Sequence, residues 1–261
     1  NTPDRVRISS VYPFWKDIYF YPRPFLPIPG PQRDEDVTDR KRWKSVRLVS
    51  ERALAAWLEG DPTLRDRTEL IGGNAAVLAE ELRGKSAPPA TLVSTELQPA
   101  ATLDRRGGTT TPFQRRGLRV DTRSGCGLYF LADLDDGLVP EFKAVLARLG
   151  ELGLGGERSV GYGRFELLSV DSLHELPLKP PARPANAFLT LSLYLPTRAE
   201  VEAGALNSPA AYDCTLRGGW IHSVAGAESW KRSVRMCLEG SVLRWVPNAD
   251  RAGDVRDVRP E

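Results

Sequence analysis

Gly153-Leu-Gly-Gly-Glu-Arg-Ser-Val-Gly-Tyr-Gly-Arg164 places five glycines within twelve residues, interrupted by Arg158, Ser159 and Tyr162 and closed by Arg164. Upstream, Glu141 to Leu152 carries apolar residues at helical spacing. Downstream, Phe165-Glu-Leu-Leu-Ser-Val170 reads as a short strand. A glycine run pinned between helix and strand lets backbone N–H groups approach a ligand, and glycine tolerates the left-handed geometry such a loop needs. With two arginines in the run, a phosphate chain is the favoured partner; a plain helix-to-strand connection is the alternative. The stretch lacks the Gly-Lys-Ser/Thr ending of a P-loop. The GxGxxG spacing also fails, because Arg158 stands five positions after Gly153 and Glu166 five after Gly161. Its helix-then-strand order is the reverse of a nucleotide-binding turn.

The chain around this stretch has 261 residues, enough for one large domain or two small ones. Hydrophobic content of 41% and charged content of 27% are those of an ordinary globular protein. A net charge of +2 supplies no global basic field, so any nucleic-acid surface must be local. Arginine far outnumbers lysine, which suits bidentate phosphate recognition and is equally explained by a GC-rich genome. Cys126, Cys214 and Cys237 are far apart with no CxxC pairing, arguing against a disulfide framework or a zinc site and for a reducing, cytoplasmic setting. No signal peptide or bilayer-length apolar run is present. Residue 1 is Asn and the sole methionine is Met236, so the natural start is expected to lie upstream.

Along the chain, residues 5–27 read as a strand followed by an extended segment stiffened by Pro22, Pro24 and Pro27. Residues 28–45 read as polar loop. Ser50 caps an expected helix to Glu59 with Leu54, Trp57 and Leu58 on its apolar face, and a weaker helix is expected near Glu69–Glu81. Thr91–Leu97 is strand-like. Residues 103–126 then hold Arg105, Arg106, Arg115, Arg116, Arg119 and Arg123 against only Asp104 and Asp121. Gly107, Gly108, Thr109 to Thr111 and Pro112 make the middle a loop or hairpin tip. Gly127–Asp133 reads as a buried strand. Four prolines mark residues 174–186 as a linker, and beyond it Phe188–Leu195 alternates with period two as the best strand in the chain. A helix near Arg198–Ala205 and strand-like stretches at 212–216 and 241–246 complete a second α+β unit.

Catalytic chemistry is thinly represented. The two histidines are His174, beside the linker, and His222, close to Trp220. No GxSxG, HExxH or paired-carboxylate arrangement stands out, so binding is the favoured role. The arginine-rich segment reads either as a solvated loop or, bordering the same sheet as the glycine stretch, as a source of phosphate contacts on one face. Phe113 and Leu118 within it read as base wedges or as packing residues.

Taken in order, several pieces resemble the RAMP superfamily of CRISPR proteins, and within it the fourth-named Csm subunit. Ile8-Ser-Ser-Val-Tyr-Pro13 and Tyr19-Phe-Tyr-Pro-Arg-Pro24 are similar to the family's "iSsafP…yfPkP" segment. Leu103-Asp-Arg-Arg-Gly-Gly108 is similar to its "DRxTG" element, with Gly107 in place of the threonine. Leu149–Phe165 resembles the superfamily's glycine-rich loop. Leu191-Ser-Leu-Tyr-Leu-Pro196, Arg217-Gly-Gly-Trp-Ile221 and Glu239-Gly-Ser241 are similar to "lSlylP", "RxGWi" and "eGS".

The resemblance implies an α+β chain of two ferredoxin-like (RRM-like) domains: residues 1–173, lacking the family's opening strand and helix, a 174–186 linker, and residues 187–261. It implies a non-catalytic subunit of a type III-A effector complex, without cofactor or metal. That subunit binds the repeat-derived 5′ tag of the guide RNA (crRNA) and docks the large cyclase/polymerase-like subunit and the backbone RAMP subunit. It meets target RNA indirectly. The implied RNA-binding residues are Gly153, Gly155, Gly156, Arg158, Ser159, Gly161, Tyr162, Gly163 and Arg164 in the loop. To these are added Arg105 and Arg106, Arg115 and Arg116 in a thumb-like 109–119 segment, and Ser9, Ser10, Arg217 and Trp220. The alternatives are the equivalent type III-B subunit, a guide-processing RAMP endoribonuclease using His222, and a scaffold with no RNA contact.

Overall fold

The computed structural model describes residues 6–31, 37–103, 107–170, 185–221, 229–246 and 253–259. In chain order its first part holds β1 (Val6–Ile8), β2 (Tyr12–Trp15), β3 (Ile18–Pro22), α1 (Val37–Ser45), β4 (Leu48–Ser50) and α2 (Glu51–Glu59). These are followed by α3 (Leu64–Arg67), β5 (Thr68–Ile71), β6 (Ala75–Leu78), β7 (Val93–Leu103), β8 (Thr110–Val120), β9 (Cys126–Tyr129), β10 (Ala132–Leu134) and α4 (Val139–Leu152). The remainder holds β11 (Ala187–Leu189), α5 (Arg198–Glu202), β12 (Cys214–Arg217), β13 (Trp220–Ile221), β14 (Ser229–Trp230), β15 (Val234–Cys237) and β16 (Val242–Arg244).

A six-stranded sheet, ordered β5-β6-β4-β3-β2-β9, organises the first part. β4 and β6 run parallel and every other pair is antiparallel. Period-two alternation splits its residues between two cores. Tyr21, Val49, Ala76 and Leu78 pack on one face with Trp43, Leu54, Trp57 and Leu64 from the helices. Phe20, Ala75 and Val77 pack on the other with Trp15, Ile18, Ile71, Leu92 and Cys126. With both faces covered, its strands tolerate the near-continuous apolar runs seen at 18–21 and 75–78.

α2 forms as its sequence predicts. The Ser50 hydroxyl accepts the Ala53 N–H at 3.2 Å, and Gly60 ends the helix in the left-handed region, donating to the Ala56 and Trp57 carbonyls. Leu54 and Trp57 are buried, whereas Leu58 points outward. Trp57 meets Trp43 edge-on with ring centroids 6.0 Å apart. Burial of such a side chain contributes about 1.5–3 kcal/mol.

Five expectations are corrected. Residues 37–45, read as loop, form α1; its apolar residues are only Val37 and Trp43, so the periodic signal is faint. The helix expected near 69–81 is instead the β5–β6 hairpin, turned at Gly72 and Gly73 with φ of 57° and 80°. The stretch 165–170 is not a strand; the Phe165 N–H donates to the Gly150 carbonyl at 3.3 Å, folding the chain back on α4. The long strand expected at 188–195 is short, because the Leu191 carbonyl turns to accept the Ser10 N–H (2.8 Å) and the Tyr12 hydroxyl (2.8 Å). Gly127–Asp133 also divides, β9 joining the main sheet and β10 pairing with β1.

The C-terminal part builds a small core from Tyr194, Cys237 and Leu243 with Phe188 and Leu206. It is joined to the main sheet by a hydrogen-bonded seam. The Ser10 hydroxyl donates to Glu239 Oε1 at 2.6 Å, and the Phe25 N–H donates to the Gly240 carbonyl at 2.9 Å. Gly240 is required there, because a Cβ would stand 2.2 Å from the Arg23 carbonyl oxygen.

Candidate nucleic-acid interface

β7 and β8 form an eleven-pair antiparallel hairpin, about 35 Å long at the usual rise per residue. Most of its residues are exposed, so it projects as an arm rather than forming part of the sheet. The alternation of strand side chains decides what each arginine can do. Arg115 and Arg119 share one face with Gln98 and Gly117, while Arg116 lies on the other beside Leu97 and Leu118. The adjacent pair Arg115 and Arg116 therefore faces opposite ways. Arg119 is held by Glu96 at 2.6 Å.

The glycine stretch packs on the Arg115 face. The Tyr162 hydroxyl donates to Gln98 Oε1, and its ring lies against Gly117, where a Cβ would sit 2.8 Å from Cε1. Arg115 Nε stands 3.0 Å from Glu157 Oε2, a close ion pair whose alignment falls short of a hydrogen bond. Loop and hairpin thus form one structural element.

Within the stretch, four of the five glycines do two kinds of work. Gly153 caps α4, donating its N–H to the Leu149 carbonyl at 2.8 Å. The loop is closed by the Leu154 N–H donating to the Gly163 carbonyl at 2.9 Å. A Cβ at Gly163 would fall 1.9 Å from the Leu154 oxygen, and one at Gly153 would fall 2.6 Å from the Tyr162 oxygen. These two are dictated by the loop's own closure. Gly155, Gly156 and Gly161 have nothing within 4 Å of a Cβ. Gly155 (φ 85°) and Gly161 (φ 93°) are explained by left-handed backbone; Gly156 has neither reason.

Between the closing bonds, residues 158–160 make one tight turn, entered through Glu157 in the left-handed region (φ 56°). The backbone N–H groups of Gly155, Gly156, Glu157, Arg158 and Ser159 reach no acceptor among the described residues. The side chains of Arg158, Ser159 and Arg164 are exposed, and neither guanidinium has a carboxylate partner among the described residues. A run of outward amides flanked by free guanidinium groups has the chemistry of an anion seat.

Other expected site residues lie elsewhere. The Ser9 hydroxyl accepts the Leu131 N–H at 2.9 Å and donates to the Ser10 carbonyl at 2.7 Å, and Ser10 belongs to the seam with Glu239. Arg217 is exposed at the end of β12, and Trp220 pairs by backbone with Trp230 in β13–β14. Arg105 and Arg106 lie outside the described residues, as do His174, His222 and the 174–184 part of the expected linker. Glu157, to which the sequence assigned no role, reaches across from the loop to Arg115. No group of three or more His, Cys, Asp or Glu residues is placed to hold a metal among the described residues, and no helix among them is long and apolar enough to cross a membrane.

Comparison with known proteins adds an independent view. The chain is 22% identical over 286 residues to the CRISPR system Cms protein Csm4 of Methanocaldococcus jannaschii, covering 98% of this chain and 74% of that protein. It is 24% identical over 254 residues to the protein of the same description from Thermococcus onnurineus, covering 92% and 71% respectively. Its fold resembles a chain in the crystal structure of the Csm3–Csm4 subcomplex of the type III-A CRISPR-Cas interference complex. There the TM-score is 0.64 at 19% identity, over 97% of this chain and 79% of that one. The RAMP superfamily model matches residues 1–166, and the CRISPR Csm4 C-terminal domain model matches residues 183–261. The chain therefore belongs to the RAMP superfamily of CRISPR proteins, and its C-terminal part matches the Csm4 C-terminal domain.

Proposed function

We propose that this chain is the RNA-binding cap subunit of a type III-A effector complex, seating the 5′ repeat-derived tag of the guide RNA on the 153–164 loop. The observation that carries this reading is the joined loop and hairpin, which presents five unoccupied backbone amides beside exposed Arg158 and Arg164. Amides and guanidinium groups bind phosphate oxygens without regard to sequence, which suits a backbone held in a fixed path. Splayed bases would then lie along the hairpin, as in other single-strand readers. Gly156, free of any demand from the fold, fits close approach of the RNA backbone.

In this reading the role is binding and not catalysis, and the subunit works in the cytoplasm. Residues 1–173 and 187–261 are two ferredoxin-like domains joined by the 174–186 linker, docking the large cyclase/polymerase-like subunit and the backbone RAMP subunit. Arg105 and Arg106 touch RNA near the junction of tag and spacer. The test is the affinity of the full chain for tag RNA across a salt series, comparing wild type with Arg158→Ala/Arg164→Ala. Loss of two phosphate contacts should flatten the logarithmic salt slope for a single strand by about 1.4. An unchanged affinity and slope would refute the assignment.

A further inference from the structure

The cysteines that stand apart in the sequence are brought together in the C-terminal part. Cys214 in β12 lies directly opposite Cys237 in β15. The hydrogen-bond pattern fixes which kind of pair they make. Cys237 turns its N–H and carbonyl away from β12, exchanging bonds of 2.7 Å and 3.0 Å with Tyr194, while the Leu238 N–H donates to the Asp213 carbonyl at 2.9 Å. Cys214 and Cys237 are therefore a non-hydrogen-bonded antiparallel pair, the closer of the two types, with Cα atoms about 4.5 Å apart. That separation lies within the range bridged by disulfides. One is exposed and the other buried: Cys214 at the surface, Cys237 2% exposed in the small core.

We infer that Cys214 and Cys237 form a reversible thiol–disulfide couple whose oxidant is a low-molecular-weight disulfide. The exposed Cys214, as thiolate, attacks one sulfur of the small disulfide; a mixed disulfide forms and a small thiolate leaves. Cys237, losing its proton, then attacks the Cys214 sulfur and expels the second small thiolate. Two protein thiols become one disulfide, two electrons pass to the small disulfide, and the released protons end on two small thiols. Burial pushes the Cys237 thiol up to about 12, so the second step accelerates as pH rises. Cys126 sits buried in β9, in the other part of the molecule, and is the internal control.

The experiment treats the purified full chain with glutathione disulfide at graded ratios to glutathione, followed by intact mass and peptide mapping. The expected product has lost two hydrogens, with the Cys214 and Cys237 peptides joined until reduction and Cys126 still alkylatable. Cys214→Ser, a change at an exposed site, should abolish that product. A stable glutathione adduct on Cys214 with Cys237 still free, a chain-to-chain dimer through Cys214, or no reaction at either thiol would each overturn the inference.

Discussion

Replacing Gly163 and Gly156 by alanine, one at a time, separates the two kinds of glycine in the loop. At Gly163 the backbone has φ 72°, where alanine costs about 1–2 kcal/mol. Its Cβ would also fall 1.9 Å from the Leu154 oxygen, so the 2.9 Å Leu154-to-Gly163 bond must open. Losing that bond adds about 0.5–1.5 kcal/mol, giving roughly 1.5–3.5 kcal/mol against the closed loop. Because loops open locally, the effect belongs in the exchange of the Leu154 amide, not in global unfolding. That exchange should quicken about 10- to 300-fold, at about 1.4 kcal/mol per factor of ten. Gly156→Ala meets no such obstacle and should leave the exchange unchanged. Its methyl instead stands where RNA would approach the free amides, and one lost charge-assisted hydrogen bond is worth about 1.5–3 kcal/mol. Affinity for tag RNA in a filter or polarisation assay should fall about 10- to 150-fold. Wild-type RNA affinity in Gly156→Ala, with the loop intact by exchange, refutes the claim that the exposed amides seat phosphate.

Three further outcomes follow from other contacts. Glu157→Gln frees Arg115 from a partly exposed ion pair worth at most about 1 kcal/mol, so RNA affinity should rise up to about fivefold; a fall would show that the carboxylate supports binding. Ser10→Ala removes the 2.6 Å bond to Glu239 and should lower stability by about 1–2 kcal/mol in urea while leaving RNA affinity unchanged, which the two assays together check. Glu51 is held above the usual carboxylate range by burial, then by Glu81. The folded state therefore binds its proton more tightly than the unfolded state, and its ionisation lowers stability as pH rises through that range. Glu51→Gln should raise the thermal midpoint at pH 7, with the gain vanishing near pH 4; a gain that persists in acid contradicts this.

Where a local pattern and its tertiary partner agreed, the sequence was legible. Ser50 before an apolar 3.6 period gave α2, and the glycine-threonine stretch between arginine pairs, read as a loop or a hairpin tip, leads from the hairpin's turn into β8. Failures came where distant partners set the outcome. Ala75-Ala-Val-Leu78 looks helical by alanine content, but β4 waits alongside to pair with it, and Gly72-Gly73 was the turn signal passed over. Phe188–Leu195 has strand alternation throughout, yet Ser10 and Tyr12 capture the Leu191 carbonyl and end its ladder. The contacts of Ser9 and Ser10 are equally invisible to local spacing: the Ser9 hydroxyl is engaged by Leu131 and the Ser10 carbonyl, and the Ser10 hydroxyl by Glu239 across the seam.

The glycine count itself also needs to be divided. A sequence shows five equivalent glycines; the fold uses Gly153 and Gly163 to close the loop and Gly155 and Gly161 for left-handed turns, leaving Gly156 alone without a conformational reason. Residues explained by the fold carry no evidence of a ligand, whereas a glycine in ordinary backbone with open space beside it forgoes side-chain packing and chain stiffness for no internal return. The same division applies to the arginines: Arg115 and Arg119 are held by Glu157 and Glu96, and Arg116, Arg158 and Arg164 stand exposed without a carboxylate partner among the described residues. Alternation turns Arg116 away from the face that packs on the loop. What remains on the loop is a small set, Gly156, Arg158 and Arg164 around the free amides. Phosphate recognition there rests on those groups, not on the arginine density of the whole segment.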